Sequence, residues 1–268
     1  MQFFGKSDTG MKRSENQDSF VTEQLYENTV LCIVCDGMGG AKGGSTASSL
    51  ACREFVKHIK KRIADLKQQQ QLRFDGKSEE TEKLLNKAVT LTNSTIFKKA
   101  SKEKELEGMG TTLVSALFCE NRLYVTNIGD SRLYFIKEDG LTRFTKDHSY
   151  VQTLIDLGQI TPEEALTNPH KNIITRALGT QKKVEADIFY KDLTEERIEY
   201  ILLCSDGLTN FVDEDLIHSM IKQSDSLESA CTALINKANE NGGGDNITAV
   251  LIKLDPADDK TETDGAAE

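Results

Sequence analysis

The sequence predicts an α+β sandwich, and three observations predict it. Apolar runs of strand length twice end in Asp-Gly, at "VLCIVCDG" and "YILLCSDG". Residues 111–145 alternate apolar and polar in several places and carry turn chemistry at Glu120-Asn121 and Asp139-Gly140, the pattern of an antiparallel meander. Helical periodicity appears in neighbouring segments clustered between the strand runs. Antiparallel strands with grouped helices fit an α+β sandwich better than a doubly wound parallel sheet.

The elements follow in order. Residues 30–35 form a strand. "SSLACREFVKHIKKRI" sets Leu50, Ala51, Phe55, Ile59 and Ile63 on one helical face, with a cap at or near Ser45. "DLKQQQQLRFDGKSEE" loses that period and reads as a frayed helix end or surface loop. "EKLLNKAVTLTNSTIFKKA" resumes a helix, with Leu84, Leu85, Ala88, Val89, Thr92 and Ile96 on one face, and the two helices are expected to pair. After the meander, "SYVQTLIDLGQITPEEAL" contains two short helices. Gly158 stops the first, and Thr161, Pro162 and Glu164 open the second with a capping box. A strand at "IEYILLCSDG" precedes helices over about 213–222 and 226–240, and "GGGDNITAVLIKL" closes with a strand. No internal repeat is visible. The domain expectation is one unit over 1–254, followed by an acidic tail, 255–268, that lacks aromatics and reads as disordered.

With 268 residues the chain can bury a substantial core. Its net charge of -10 repels phosphate backbones and anionic membrane, which argues against nucleic acid as a partner. No apolar run approaches the ~18 residues of a membrane span, and the first residues do not read as a signal peptide. A cytoplasmic protein is expected. The six cysteines include a C-x-x-C at Cys32 and Cys35. Positions three apart on a strand face opposite ways, so these read as reduced, buried, small hydrophobes rather than a redox or zinc pair.

The aspartates carry the chemistry. Asp18, Asp36, Asp130, Asp206 and Asp245 each lie at a strand end, most beside Gly, Ser or Asn. Strand ends of one sandwich can converge on one rim, where five carboxylates would repel unless a cation neutralised them. Hard oxygen donors suit Mg²⁺ or Mn²⁺, and the scarcity of His argues against zinc. A glycine beside each core aspartate lets the backbone approach closely enough for its carbonyl to serve as a ligand.

The ordered set "GMKRSENQDSF", "CDGMGGAKGGSTAS", "GMGTTL", "NIGDSRLY", "TKDHSYV", "NIITRALG", "LLCSDGLTNFV" and "GGGDNITAVL" resembles the metal-dependent serine/threonine protein phosphatases of the PPM, or type 2C, family in their compact bacterial form. The resemblance runs over residues 5–254. It implies a four-layer αββα fold, a central antiparallel β-sandwich flanked by helix pairs, with two metals in the cleft between the sheets. Asp36 would bridge both metals and the Gly37 carbonyl would bind one. Asp206 and Asp245 would hold the other. Asp18 would orient metal-bound water, Arg13 would grip the substrate phosphate with its planar fork, and Asp130 with Asp206 would support a third, weaker metal. The implied reaction is hydrolysis of phosphoserine and phosphothreonine in proteins by a water that two Mn²⁺ or Mg²⁺ ions activate. No cysteine lies in the Cys-x5-Arg loop of a cysteine phosphatase.

Two departures stand out. Many bacterial members carry His after "DGMGG", where this chain has Ala41, and Glu is common where it has Ser45. A His general acid therefore does not carry over. His148 is expected to bond structurally, and His58, His170 and His218 to lie on the surface or in loops. Residues 145–175 correspond to a variable flap beside the cleft. Phosphorylated proteins, a serine/threonine kinase among them, are the implied partners, and a monomer is expected. The rival readings are a pseudophosphatase binding module, which the five retained aspartates oppose, a phosphatase of an anti-sigma antagonist, and a metallohydrolase of small phosphates.

Overall fold

The computed structural model describes residues 1–68 and 79–255. The strands β1 (Gln2–Asp8), β2 (Asp18–Tyr26) and β3 (Thr29–Met38) are followed by helices α1 (Gly40–Gln68) and α2 (Glu79–Lys102). Then come β4 (Gly110–Thr111), β5 (Leu113–Cys119), β6 (Arg122–Ile128), β7 (Arg132–Lys137) and β8 (Gly140–Arg143). Short helices α3 (Tyr150–Asp156) and α4 (Pro162–Leu166) precede β9 (Asp187–Asp192) and β10 (Tyr200–Cys204). The described chain closes with α5 (Asp206–Thr209), α6 (Glu214–Gln223), α7 (Leu227–Glu240) and β11 (Ile247–Lys253).

Two antiparallel sheets form, in the orders β1-β11-β10-β7-β8 and β2-β3-β5-β6-β9, and β4 pairs with the end of β3. Strand alternation sorts the side chains into layers. On β3, Val30, Cys32 and Val34 enter the core between the sheets, while Leu31, Ile33 and Cys35 pack against α1 and α2. On β10, Ile201 and Leu203 point to the inter-sheet core, and Leu202 and Cys204 to α6 and α7. The result is helix pair, sheet, sheet, helix pair. Both faces of the central strands are covered, which is why they read as unbroken apolar runs although the sheets are antiparallel. Cys32 and Cys35 lie on opposite faces, and all six cysteines are buried free thiols.

Most expected elements form, with differences that bear on the site. β1 and β9 were not foreseen. "QFFGKSD" carries too little apolar pattern to mark a strand, and β1 forms because β11 offers it seven antiparallel partners, Gln2↔Lys253 to Asp8↔Ile247. The strand expected over 30–35 continues to Met38, so Asp36 lies within β3, held by β2 and then β4. α1 begins at Gly40, so Ser45 is no cap. It sits inside the helix, where its hydroxyl donates to Glu15 Oε1 at 2.9 Å.

The expected single meander divides between the sheets. β5 and β6 form one hairpin and β7 and β8 another, in different sheets. Gly129, Asp130 and Ser131 make the crossover, and Gly129 takes φ +103°, a backbone region that side-chain-bearing residues avoid. Thr161 and Glu164 form the expected capping box on α4, and Gly158 ends the turn after α3 at φ +66°. The polar stretch 65–80 falls largely outside the described residues, as does the tail expectation beyond residue 255.

Candidate functional site

The sandwich brings the five aspartates to one end of the cleft between the sheets. Asp18 opens β2 directly opposite Asp36 of β3. Asp130 sits in the crossover, Asp206 begins α5 with one residue between it and the end of β10, and Asp245 precedes β11. Each of Asp18, Asp130, Asp206 and Asp245 acts electrostatically on Asp36. Asp36 and Asp130 are both held well above the usual carboxylate range, first by burial and then by neighbouring carboxylates. Asp206 moves the same way, through burial and then Asp245. Asp18 is pushed up to about 7, mainly by burial, against the opposing hydrogen bonds of Thr248 and Ser205.

Local packing explains the glycines. An added Cβ at Gly37 would lie 2.2 Å from the Gly44 carbonyl oxygen and 2.5 Å from that of Gln17. At Gly44 it would lie 2.5 Å from Gln17 Oε1 and 2.7 Å from the Gly37 oxygen. The "DGMGGAKGG" glycines thus let the first turn of α1 close on β3 beside Asp36. Gly207 meets the other side of the cleft in the same way, since a Cβ there would sit 1.9 Å from the Asn246 oxygen.

The donor set fits hard cations. Oδ1 of Asp18 and Oδ1 of Asp206 are buried without a hydrogen-bond partner. Buried polar atoms normally have one, so a bare carboxylate oxygen in a cleft is an acceptor waiting for a partner. Among the described residues, no three of His, Cys, Asp or Glu close on a single ion position. The candidates are all carboxylates, which suits Mg²⁺-like ions that bind through one or two carboxylates and keep several waters, and does not suit a closed zinc cage.

Arg13 stands at the rim, its side chain 54% exposed, with Nη2 donating to Asp245 Oδ2 at 2.8 Å. Asp245 raises its pKa further, so the guanidinium stays charged beside the acidic cleft. One contact leaves most of its five N–H donors for an incoming anion.

Sequence reasoning missed several polar residues that hold this arrangement. Thr112 Oγ1 accepts from the Asp36 amide at 2.8 Å and contacts Ser131 Oγ at 2.7 Å. The Asn246 side chain accepts from the Gln17 amide and donates to the carbonyls of Thr9 and Glu15, knitting the Arg13 loop to β11. The signal was legible as "GTT" and "GDNIT", polar residues against apolar strands, but their partners are distant in sequence.

His148 bonds structurally, as expected. Its Nδ1 accepts from the Gly129 amide at 3.1 Å, and Nε2 meets Asp187 Oδ2 at 3.1 Å. Residues 145–175 are thereby anchored beside Asp130, and Arg132 adds a second tie through Asp147, with Nη2 to Oδ2 at 2.8 Å. His170 is exposed, whereas His58 and His218 are half-buried within α1 and α6 rather than on free surface.

The family model "Protein phosphatase 2C" matches residues 11–251. The serine/threonine phosphatase stp of Listeria welshimeri is 38% identical over 248 residues, covering 92% of this chain and 94% of the relative. The crystal structure of serine/threonine phosphatase Stp1 from Staphylococcus aureus superposes with a TM-score of 0.83 at 35% identity, covering 95% of each chain. The catalytic domain of the serine/threonine protein phosphatase PstP, solved with two manganese ions, gives a TM-score of 0.75 at 36% identity, covering 93% of this chain and 96% of that one. A two-sheet sandwich whose cleft gathers carboxylates defines the class, a metal-dependent phosphate hydrolase, and the chain belongs to the protein phosphatase 2C family.

Proposed function

We propose that this serine/threonine phosphatase hydrolyses phosphoserine and phosphothreonine on proteins with two Mn²⁺ or Mg²⁺ ions held in the aspartate cleft. The observation that carries the reading is the convergence of Asp18, Asp36, Asp130, Asp206 and Asp245, two of them with bare buried oxygens. In this reading Asp36, the Gly37 carbonyl, Asp206 and Asp245 would hold the two ions, and Asp130 with Asp206 would hold a third more weakly. When bound, two such ions supply a water of lowered pKa and offset charge on the phosphoryl oxygens.

The chain's own groups do the rest. Asp18 accepts a hydrogen bond from the attacking water and orients it towards phosphorus. Arg13 binds two phosphate oxygens at the rim and holds the ester in line, its fork matching their spacing. Residues 145–175 form one wall, so their exposed Tyr150, Leu157, Leu166 and Ile173 meet the protein that carries the phosphate.

We place the protein in the cytoplasm as a monomeric catalytic unit over 1–254, acting on phosphoproteins that include a serine/threonine kinase. Six unpaired thiols support a reducing compartment. Among the described residues no helix is long and apolar enough to cross a membrane. The test is hydrolysis of a phosphothreonine peptide and of p-nitrophenyl phosphate, each with Mn²⁺ and with excess EDTA. Turnover of both only with metal is expected. Turnover that survives EDTA would overturn the metal assignment, and loss of the peptide activity alone would point to a hydrolase of small phosphates.

A further inference from the structure

Asp18 belongs to one sheet, but its carboxylate is held by the other. Oδ2 accepts from Ser205 Oγ at 2.7 Å and from Thr248 Oγ1 at 2.6 Å. Ser205 follows β10 and Thr248 lies on β11, so both reach across the cleft floor to the first residue of β2. Both are 0% exposed.

The hydrogens of this cluster have one consistent assignment. The Thr248 amide donates to Ser205 Oγ at 3.0 Å, which leaves the Ser205 hydroxyl hydrogen for Asp18. Asn16 Nδ2 donates to Ser7 Oγ at 2.7 Å, and Ser7 Oγ lies 2.8 Å from Thr248 Oγ1. Because Thr248 gives its hydrogen to Asp18, Ser7 donates to Thr248. Asn16 also accepts from the Asp18 amide at 3.0 Å, so one side chain fixes the backbone of Asp18 and feeds the relay to its carboxylate. Both hydroxyls fall on Oδ2, and Oδ1 has no partner although it too is buried. Buried polar atoms ordinarily find a partner, so Oδ1 retains acceptor capacity that nothing in the two sheets uses.

We propose that Ser205 and Thr248 are positioning residues for the phosphatase reaction. They grip Asp18 by one oxygen, fix its rotamer, and present the other oxygen to the cleft. This rests on the reading given under Proposed function, where Asp18 orients the attacking water. Hydrogen-bond partners of groups at a metal site are worth about 10–100-fold in affinity or activity when removed.

Three variants test it: Thr248→Val, which keeps the side-chain shape and removes the donor, Thr248→Ser, which keeps the donor, and Ser205→Ala. Each is measured three ways: calorimetric titration of Mn²⁺ with no substrate present, kcat and KM on a phosphothreonine peptide, and melting temperature. Thr248→Val and Ser205→Ala should each lose about tenfold or more in Mn²⁺ affinity and in kcat, with KM within about twofold, and Thr248→Ser should recover most of both. If the hydroxyls are only structural, the folded variants melt lower but bind Mn²⁺ and turn over as wild type does, and the proposal is wrong. It is equally wrong if Thr248→Ser is as impaired as Thr248→Val, or if neither donor-less variant folds. A wild-type chain that binds Mn²⁺ without hydrolysing the peptide would instead sink the functional reading, while the titrations still report on the clamp.

Discussion

The Thr112 hydroxyl lies 2.7 Å from that of Ser131, and through it the strand carrying Asp36 is tied to the crossover carrying Asp130. The same oxygen accepts from the Asp36 amide, and the Thr112 amide donates to the Asp36 carbonyl at 2.9 Å. Gly129 packs directly on Thr112, with space for a Cβ only 2.5 Å from its methyl. Thr112→Val leaves the buried Asp36 amide without its acceptor. A stability loss of about 1–3 kcal/mol is expected by urea unfolding, together with reduced turnover in the variant that remains folded. A variant as stable as wild type would show that the amide finds another partner.

Asp36→Asn should move stability and function in opposite directions. In metal-free protein it removes a carboxyl whose ionisation is opposed by burial and by four neighbouring aspartates but is free in the unfolded chain, so the melting temperature in EDTA at neutral pH should rise. Turnover should fall about 10³-fold or more, because several kcal/mol of charge stabilisation pass through that carboxylate. Two Mn²⁺ ions bound at wild-type affinity in the variant would remove Asp36 from the bridging position.

Acid should stabilise the metal-free protein. Asp18 titrates at about 7 in the fold, and Asp36, Asp130 and Asp206 are shifted the same way. In the unfolded chain these groups ionise near ~3.9. Between these values the folded state holds protons that the unfolded state has released, so stability falls as pH rises through the window. His58 and His148, lowered by burial, work the other way below their ordinary ~6.5, but the four carboxylates outnumber them. Scanning calorimetry in EDTA should therefore give a higher melting temperature near pH 5 than near pH 7. Saturating Mn²⁺ should erase or invert the trend, because the ion competes with protons for the same oxygens. Identical pH dependence with and without Mn²⁺ would be incompatible with metal binding at these residues.

Arg13→Ala should weaken use of a phosphothreonine peptide by about tenfold or more, the weight of a charge-assisted contact to phosphate. Mn²⁺ binding should persist. Because Arg13 also pairs with Asp245, the metal titration separates loss of phosphate binding from disturbance of Asp245. An unchanged kcat/KM would remove Arg13 from the site.

Asp130→Ala tests the third metal position. General acid assistance to a leaving group contributes roughly 10²–10⁴-fold. If a water held through Asp130 protonates the leaving oxygen, the variant should lose far more rate on a phosphopeptide, with its poor alkoxide leaving group, than on p-nitrophenyl phosphate. Equal losses on both substrates would assign Asp130 to the structure of the crossover.

Much of this molecule was determined by the sequence alone. The buried strands announce themselves because both faces of β3, β10 and β11 are covered and most of their positions are apolar. Helix faces such as Phe55, Ile59 and Ile63 follow from periodicity, and the Thr161–Glu164 cap follows from local chemistry alone. The five aspartates stand out because a carboxylate at either end of an apolar run has no place in a core. Only the tertiary structure decided how they meet. The split of the meander at Gly129, the pairing of Asp18 with Asp36, the start of α1 at Gly40 and the grip of Ser205 and Thr248 on Asp18 all depend on contacts between residues far apart in the chain. A serine or threonine on a strand reads the same whether its hydroxyl faces solvent or a buried carboxylate from the opposite sheet. The sequence carries propensity and period, which act over a few residues, while the partner of a buried polar group is chosen by the packing of the two sheets.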